Sequence, residues 1–159
     1  MNWLNEGEFV SAVNALPLVS VDLVVLNAAG QMLLGLRRNA PARAWWFTPG
    51  GRVHKSEPFG ECLQRVAMTE LGLSAKQMSA ARLMGVWDHF YEDSAFDAGV
   101  STHYVNLPHV LRLEDVNDLD ALPLDQHSGW RWQEPRYAAV TNDVHPYVRT
   151  YAKLVMDHE

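Results

Sequence analysis

The stretch "GGRVHKSEPFGECLQRVAMTELGL", residues 50 to 73, carries the clearest sign of chemistry in this sequence. At about 100° per residue, Phe59, Cys62, Leu63, Val66 and Ala67 make one apolar helical stripe, and Glu70 falls near its centre. Its carboxylate must face inward. An ionised carboxylate is costly to bury alone, so the pattern calls for a cation beside it, either an arginine or a metal ion. A glycine pair at Gly50 and Gly51, with Glu57 and Arg65, flanks this carboxylate along the same stretch. Elsewhere Asp22 stands out, a lone carboxylate inside an apolar run.

These groups need a helix and strands to hold them. Ser56 is placed to cap the helix, Pro58 suits its first turn, Glu57 and Glu61 suit its positive end, and Gly72 suits a left-handed stop. Glu61 and Arg65 are spaced for a surface pair. Upstream, Asn5 and Glu8 form a capping-box pattern before Phe9, Val10, Val13 and Leu16, which predicts a short amphipathic helix. "LVSVDLVVL" predicts a buried strand, "NAAG" a turn, and "QMLLGLRR" a strand pairing back. "NAPARAWWFTPGG" predicts a loop, a short aromatic strand and a glycine turn. Further on, "ARLMGVWDHFYED" and "VSTHYVNLPHVLRL" predict a long hairpin, "EDVNDLDALPLDQHSG" an acidic loop, and "WRWQ" a short strand. "VHPYVRTYAKLVMD" predicts a last helix capped by Asp143, with Val144, Tyr147, Val148, Tyr151 and Val155 on one face. Hairpins with one helix in the middle and one at the end favour an α+β or mixed-sheet sandwich over a regular βαβ array.

The chain of 159 residues is long enough for one well-buried core, so residues 1–159 are read as a single domain. At 48% hydrophobic and 20% charged residues it has the composition of a folded soluble protein. No stretch reaches the roughly 18 apolar residues of a membrane span, and "MNWLNEGEFV" lacks a signal-peptide pattern, which makes the cytoplasm the expected location. A single cysteine, Cys62, excludes an internal disulfide and a multi-cysteine zinc site. The net charge of −6 argues against general affinity for nucleic acid or an anionic membrane.

Counted from Gly51, the quoted stretch resembles the Nudix box, G-x5-E-x7-R-E-U-x-E-E-x-G-U with U apolar. Gly51, Glu57, Arg65, Ala67, Glu70, Gly72 and Leu73 match; Val66 and Thr69 stand where the family has metal-binding glutamates. The resemblance implies a Nudix-like α/β/α sandwich with a mixed β-sheet. In ordinary members the helix carboxylates hold two or more magnesium ions around a diphosphate, and water attacks phosphorus. With Glu70 alone, the box suits about one ion.

Beyond the box, "PLVSVD", "LLGLRRNAPA", "WWFTPGGRV", "GVWDHFY", "THYV" and "DQHSGWRW" resemble the GDP-mannose mannosyl hydrolase branch, which shares both box departures. That resemblance implies hydrolysis of GDP-mannose, with GDP-glucose as a second candidate, by water attack at C1 of the hexose with inversion. A nucleoside diphosphate is a good leaving group, and one Mg²⁺ with arginines can neutralise the charge it gains. The resemblance makes His127 the general base, and Glu70, Gln126 and the carbonyl of Gly50 or Gly51 the ligands of one Mg²⁺ per subunit, with Mn²⁺ as the alternative. It assigns Arg37 and Arg52 to the diphosphate, where guanidinium forks match phosphate oxygens. Asp22, His89 and Tyr104 would line the sugar pocket and meet the leaving diphosphate. Arg65, with Glu57 as partner, would support the substrate and metal site. Trp3, Trp45 and Trp46 are candidates to stack on the base. The branch also implies a homodimer, with the N-terminal segment crossing to the partner.

Two other readings compete. A conventional pyrophosphohydrolase would recruit a replacement carboxylate from Glu92, Asp93 or the acidic loop. A catalytically silent module would bind a sugar nucleotide without turning it over.

Overall fold

The computed structural model describes residues 4–115 and 119–158. Among them, eight strands form one mixed sheet. Strand β1 (Leu18–Leu26) lies at its centre, antiparallel to β2 (Met32–Arg37) and parallel to β7 (Thr102–Arg112). The register with β7 runs from Leu18 opposite Tyr104 to Leu26 opposite Arg112. The short strands β3 (Trp46–Phe47) and β8 (His127–Gln133) pair with β2. β4 (Gly50–Arg52) pairs with β1, and β5 (Arg82–Leu83) and β6 (Trp87–Tyr91) pair with β7.

Helices cover both faces, the sandwich that the α+β reading expected. α1 (Glu6–Ala15) starts at the expected capping box: Asn5 accepts from the Glu8 amide, and Glu8 accepts from the Asn5 amide. α2 (Phe59–Leu71) packs over one face and α5 (Pro146–Asp157) over the other; α3 (Ala75–Met78) and α4 (Pro135–Ala138) are single turns. β1 is buried from both sides, so its residues divide by parity. Val21, Leu23 and Val25 join Cys62, Val66 and Ala67 beneath α2, whereas Val24 and Leu26 join Val148, Tyr151 and Val155 beneath α5. Each fully buried valine or leucine contributes roughly 1.5–3 kcal/mol. The same parity sends Asp22 toward α5, where Tyr151 donates to its carboxylate at 2.7 Å.

Several local expectations are corrected. Ser56 does not cap α2: it sits at φ 63, Pro58 is the cap residue, and no side chain bonds the first turn. Glu57 is instead drawn back to Arg65, which therefore does not pair with Glu61. Gly72 does end the helix, at φ 67. Phe59 lies at the rim and is exposed, because the stripe's buried part begins one turn later at Cys62. The residues after Pro49 extend into β4 rather than turning, since β1 offers them a free ladder edge. Asp143 pairs with Arg131, at 2.9 and 3.0 Å, and the cap of α5 is His145, whose Nδ1 accepts from the Tyr147 amide. β5 and β6 are separate strands, broken over residues 84–86. Trp3 lies outside the described residues. Among the described residues no helix is long and apolar enough to cross a membrane.

Candidate active site

A cavity of about 470 Å³ opens where β1, β2, β4, β6 and β7 meet, a size usual for small-molecule sites. It brings together nine of the sequence candidates: Asp22, Arg37, Gly50, Gly51, Arg52, Glu70, His89, Tyr104 and Gln126. Arg65 and His127 do not line it. A second cavity, of about 450 Å³, lies between β5, β7 and the end of α5, and among the described residues no carboxylate lines it.

Glu70 reaches the cavity from the last turn of α2. Burial pushes its carboxyl up to about 7, opposed by the charge of Arg37 and assisted by that of Asp125. Among the described residues the basic side chain beside its carboxylate is not an arginine but His127, whose Nδ1 lies 3.5 Å from Glu70 Oε2. Val66 and Thr69 bring nothing comparable. Val66 is buried beneath Gly51, where an added Cβ would lie 2.8 Å from Val66 Cγ2, and Thr69 is exposed.

The ladder distinguishes the two glycine carbonyls. The Leu23 amide donates to Pro49 O and the Val53 amide to Val19 O, both at 2.8 Å. Antiparallel bonding alternates by two residues, so the intervening pair Val21 and Gly51 is bonded and Gly51 O is spent on β1. Gly50 O points the other way, off an edge that no further strand covers among the described residues. A side chain at Gly50 would strike Asp22 Oδ1 and the Val21 carbonyl.

Gln126 comes in from the acidic loop, which is tied to the loop after β2 at three points. Asn39 Nδ2 donates to Gln126 Oε1 at 3.2 Å, the Arg38 amide donates to Gln126 O at 3.0 Å, and Arg38 Nε donates to Leu124 O at 2.8 Å. Among the described residues no three of His, Cys, Asp and Glu cluster as a metal site. A cation here would be held by Glu70, Gly50 O and Gln126 Oε1, hard oxygen donors that suit Mg²⁺.

His127 is the first residue of β8 rather than part of a loop, and only 1% of it is exposed. Its ring lies over Gly35 and 4.4 Å from Trp130, and neither ring nitrogen has a hydrogen-bond partner among the described residues. Burial, helped by the charge of Arg37, drops its pKa to about 4 instead of the expected neighbourhood of 6.5. The imidazole is therefore neutral at cellular pH, and weakly basic.

Arg37 Nε donates to Pro41 O at 3.0 Å, and the Arg52 guanidinium lies 5.2 Å over the Phe9 ring; both side chains keep N–H groups for a ligand. Arg65 is engaged behind the site, donating to both Glu57 oxygens at 2.6 and 2.9 Å and to Arg52 O at 2.9 Å. Burial raises the Tyr104 phenol above its ordinary pKa, so it keeps its proton.

Sequence reasoning missed Ser20, Tyr91, Phe96 and Asn106, which line the cavity, and the role of Tyr151 behind it. Ser20 was within reach, since it shares the parity of Asp22 on β1. The other aromatic wall residue is Phe47; Trp45 and Trp46 lie elsewhere, against His145 and Arg131.

The NUDIX domain family matches residues 16–154. The chain is 40% identical over 147 residues to the "Low-salt glycan biosynthesis protein Agl8" of Haloferax volcanii, covering 92% of this chain and 86% of that one. Its fold is like that of a MutT NUDIX hydrolase from Burkholderia pseudomallei, with TM-score 0.69, 23% identity, and 88% and 98% of the two chains covered. It is also like the NUDIX domain of Shewanella oneidensis NrtR complexed with ADP ribose, with TM-score 0.67, 14% identity, and 98% and 99% covered.

Proposed function

The chain belongs to the Nudix family, and from that premise we propose that it hydrolyses a nucleoside diphosphate hexose, GDP-mannose first and GDP-glucose second, at the bond between C1 and oxygen. The observation that carries this reading is what α2 offers the cavity: Glu70 alone, with Val66 buried beneath Gly51 and Thr69 turned outward. Similarity to a glycan biosynthesis protein supports a sugar nucleotide as substrate.

Glu70, Gly50 O and Gln126 Oε1 would hold one Mg²⁺, or Mn²⁺, and Gly51 would contribute space rather than its carbonyl. The ion supplies charge screening to the departing diphosphate. Arg37 and Arg52 grip the diphosphate, and the Tyr104 phenol donates a hydrogen bond to it. Asp22 and His89 meet the hexose. Arg65 acts from behind, holding Glu57 and the carbonyl of Arg52. His127 takes a proton from the water whose oxygen attacks C1. The bond from C1 to the diphosphate oxygen breaks, and its electron pair leaves with GDP. His127 stands behind the cavity wall with Nδ1 3.5 Å from Glu70 Oε2, so in this reading the attacking water lies on the Glu70 side.

Hydrolysis in ¹⁸O-water tests the reading. Label is expected in the free hexose; label in GDP, or GMP as the product, would overturn attack at carbon.

One observation favours the conventional alternative: the charge of Asp125, in the acidic loop, is felt at Glu70. If Asp125 replaces the missing helix carboxylates, the products are GMP and hexose 1-phosphate, and Asp125→Asn abolishes them. Asp125, Glu92 and Asp93 all lie off the cavity lining, but Asp125 adjoins Gln126, which is part of it. We also propose a homodimer, supported by exposed Leu16, Val19, Phe90 and Phe96, and sedimentation velocity showing a monomer at micromolar concentration would refute it.

A further inference from the structure

Tyr151 on α5 is 1% exposed, and its hydroxyl ends in a cluster of polar groups from three different strands. It lies 2.7 Å from Asp22 Oδ2 on β1, 2.8 Å from Asn106 Oδ1 on β7, and 3.1 Å from His89 Nε2 on β6. Asn106 Nδ2 in turn donates to Ser20 Oγ at 2.8 Å. Ser20, Asp22, His89 and Asn106 all line the cavity; Tyr151 does not. One phenol thus stands behind four residues that line the cavity.

The proton count limits how these groups can stand. A phenol has one proton to give and two lone pairs to receive with. That proton serves one carboxylate or amide oxygen at a time, so His89 Nε2 must be a donor to the Tyr151 oxygen. Whether the phenol proton lies toward Asp22 Oδ2 or toward Asn106 Oδ1, the Tyr151 oxygen keeps a lone pair facing His89 Nε2. His89 is held from its other side by the Tyr147 ring, stacked at 3.8 Å with 2° between the planes. Its tautomer and its orientation are therefore set by two side chains of one helix.

We propose that Tyr151 is a positioning residue that joins Asp22 and His89 into one hydrogen-bonded pair at the cavity floor, and thereby decides how the hexose hydroxyls are recognised without itself touching them. This rests on the sugar-nucleotide reading for the identity of the ligand, though not for the existence of the pair. Removing the hydroxyl while keeping the ring leaves Asp22 and His89 without their common partner. The nucleotide end, held by Arg37 and Arg52, keeps its contacts.

The test is Tyr151→Phe in the full chain. In ligand-free protein, long-range ¹H–¹⁵N spectra should show His89 as a single Nε2–H tautomer in the wild type and as a tautomer mixture in the variant. With Mg²⁺, kcat/KM for GDP-mannose should fall at least tenfold while the Kd for GDP stays within twofold and near-UV circular dichroism is unchanged. An unchanged His89 tautomer overturns the proposal whatever the substrate proves to be, as does an equal loss in GDP affinity, which marks a packing role. Should the wild type release GMP and hexose 1-phosphate, the functional reading fails. The positioning role is then judged by the tautomer together with kcat/KM for that reaction.

Discussion

His127 Nδ1 and Glu70 Oε2 stand 3.5 Å apart, the imidazole 1% and the carboxylate 11% exposed. Burial acts on both in the direction that removes charge, lifting the carboxyl to about 7 and dropping the imidazole to about 4. The base and the ion-holding carboxylate of the proposed mechanism thus form one neutral-leaning unit. His127→Gln keeps the size and a polar end but cannot take the proton. It should lower kcat by about 10²–10⁴-fold and leave the Kd for GDP nearly unchanged; equal losses in both would make His127 a binding residue.

Glu70 should also set the stability of the metal-free protein. Its carboxyl rises from an ordinary 4.5 to about 7, so the stability it allows at low pH is lost as the pH climbs through that window. Glu70→Gln removes this loss. The variant should gain up to roughly 3 kcal/mol over wild type at pH 8, with little gain at pH 4.5. Urea unfolding at the two pH values measures the difference, and Mg²⁺ at pH 8 should stabilise the wild type but not the variant.

Glu57 titrates with the opposite sign. Hydrogen bonds from Arg65, and one from the His54 amide, hold it down at about 2, so its contribution is complete above the ordinary 4.5 and is lost as the pH falls through 2. Arg65→Met should cost roughly 1–3 kcal/mol at pH 7, less than a fully buried pair because Arg65 is 32% exposed. Its acid-unfolding midpoint should move to higher pH.

Gly51 and Val66 are coupled by contact. Gly51→Ala should destabilise by about 1–3 kcal/mol, because the new Cβ meets a β-branched side chain with little freedom to move. Combining it with Val66→Ala should recover part of that cost, a non-additivity that a double-mutant cycle reads directly. Gly50→Ala should gain nothing from the same partner change, since its obstacles are Asp22 and the Val21 carbonyl.

Much of this molecule was legible in its sequence. The box spacing, the apolar run of β1 with its single charge, the capping box at Asn5 and the left-handed stop at Gly72 are local patterns, and each rests on a few adjacent residues. They were enough to place Glu70 inward and to single out Asp22. The errors at Ser56 and Asp143 had different causes: Ser56 takes a left-handed conformation two residues before the cap residue Pro58, and Asp143 is drawn to Arg131 on β8, a partner outside the helix's own window.

Only the tertiary structure decided which groups share the site and in what electrical state. Asp22 and Tyr151 are 129 residues apart in sequence and 2.7 Å apart in space, joined because β1 parity points one of them at α5 and the helix stripe points the other back. The low pKa of His127 follows from its burial between Gly35 and Trp130 after β8 pairs with β2, and the freedom of the Gly50 carbonyl follows from the ladder register. Sequence spacing specifies which face a side chain takes. Burial, register and partners across the sheet specify what that side chain can do there.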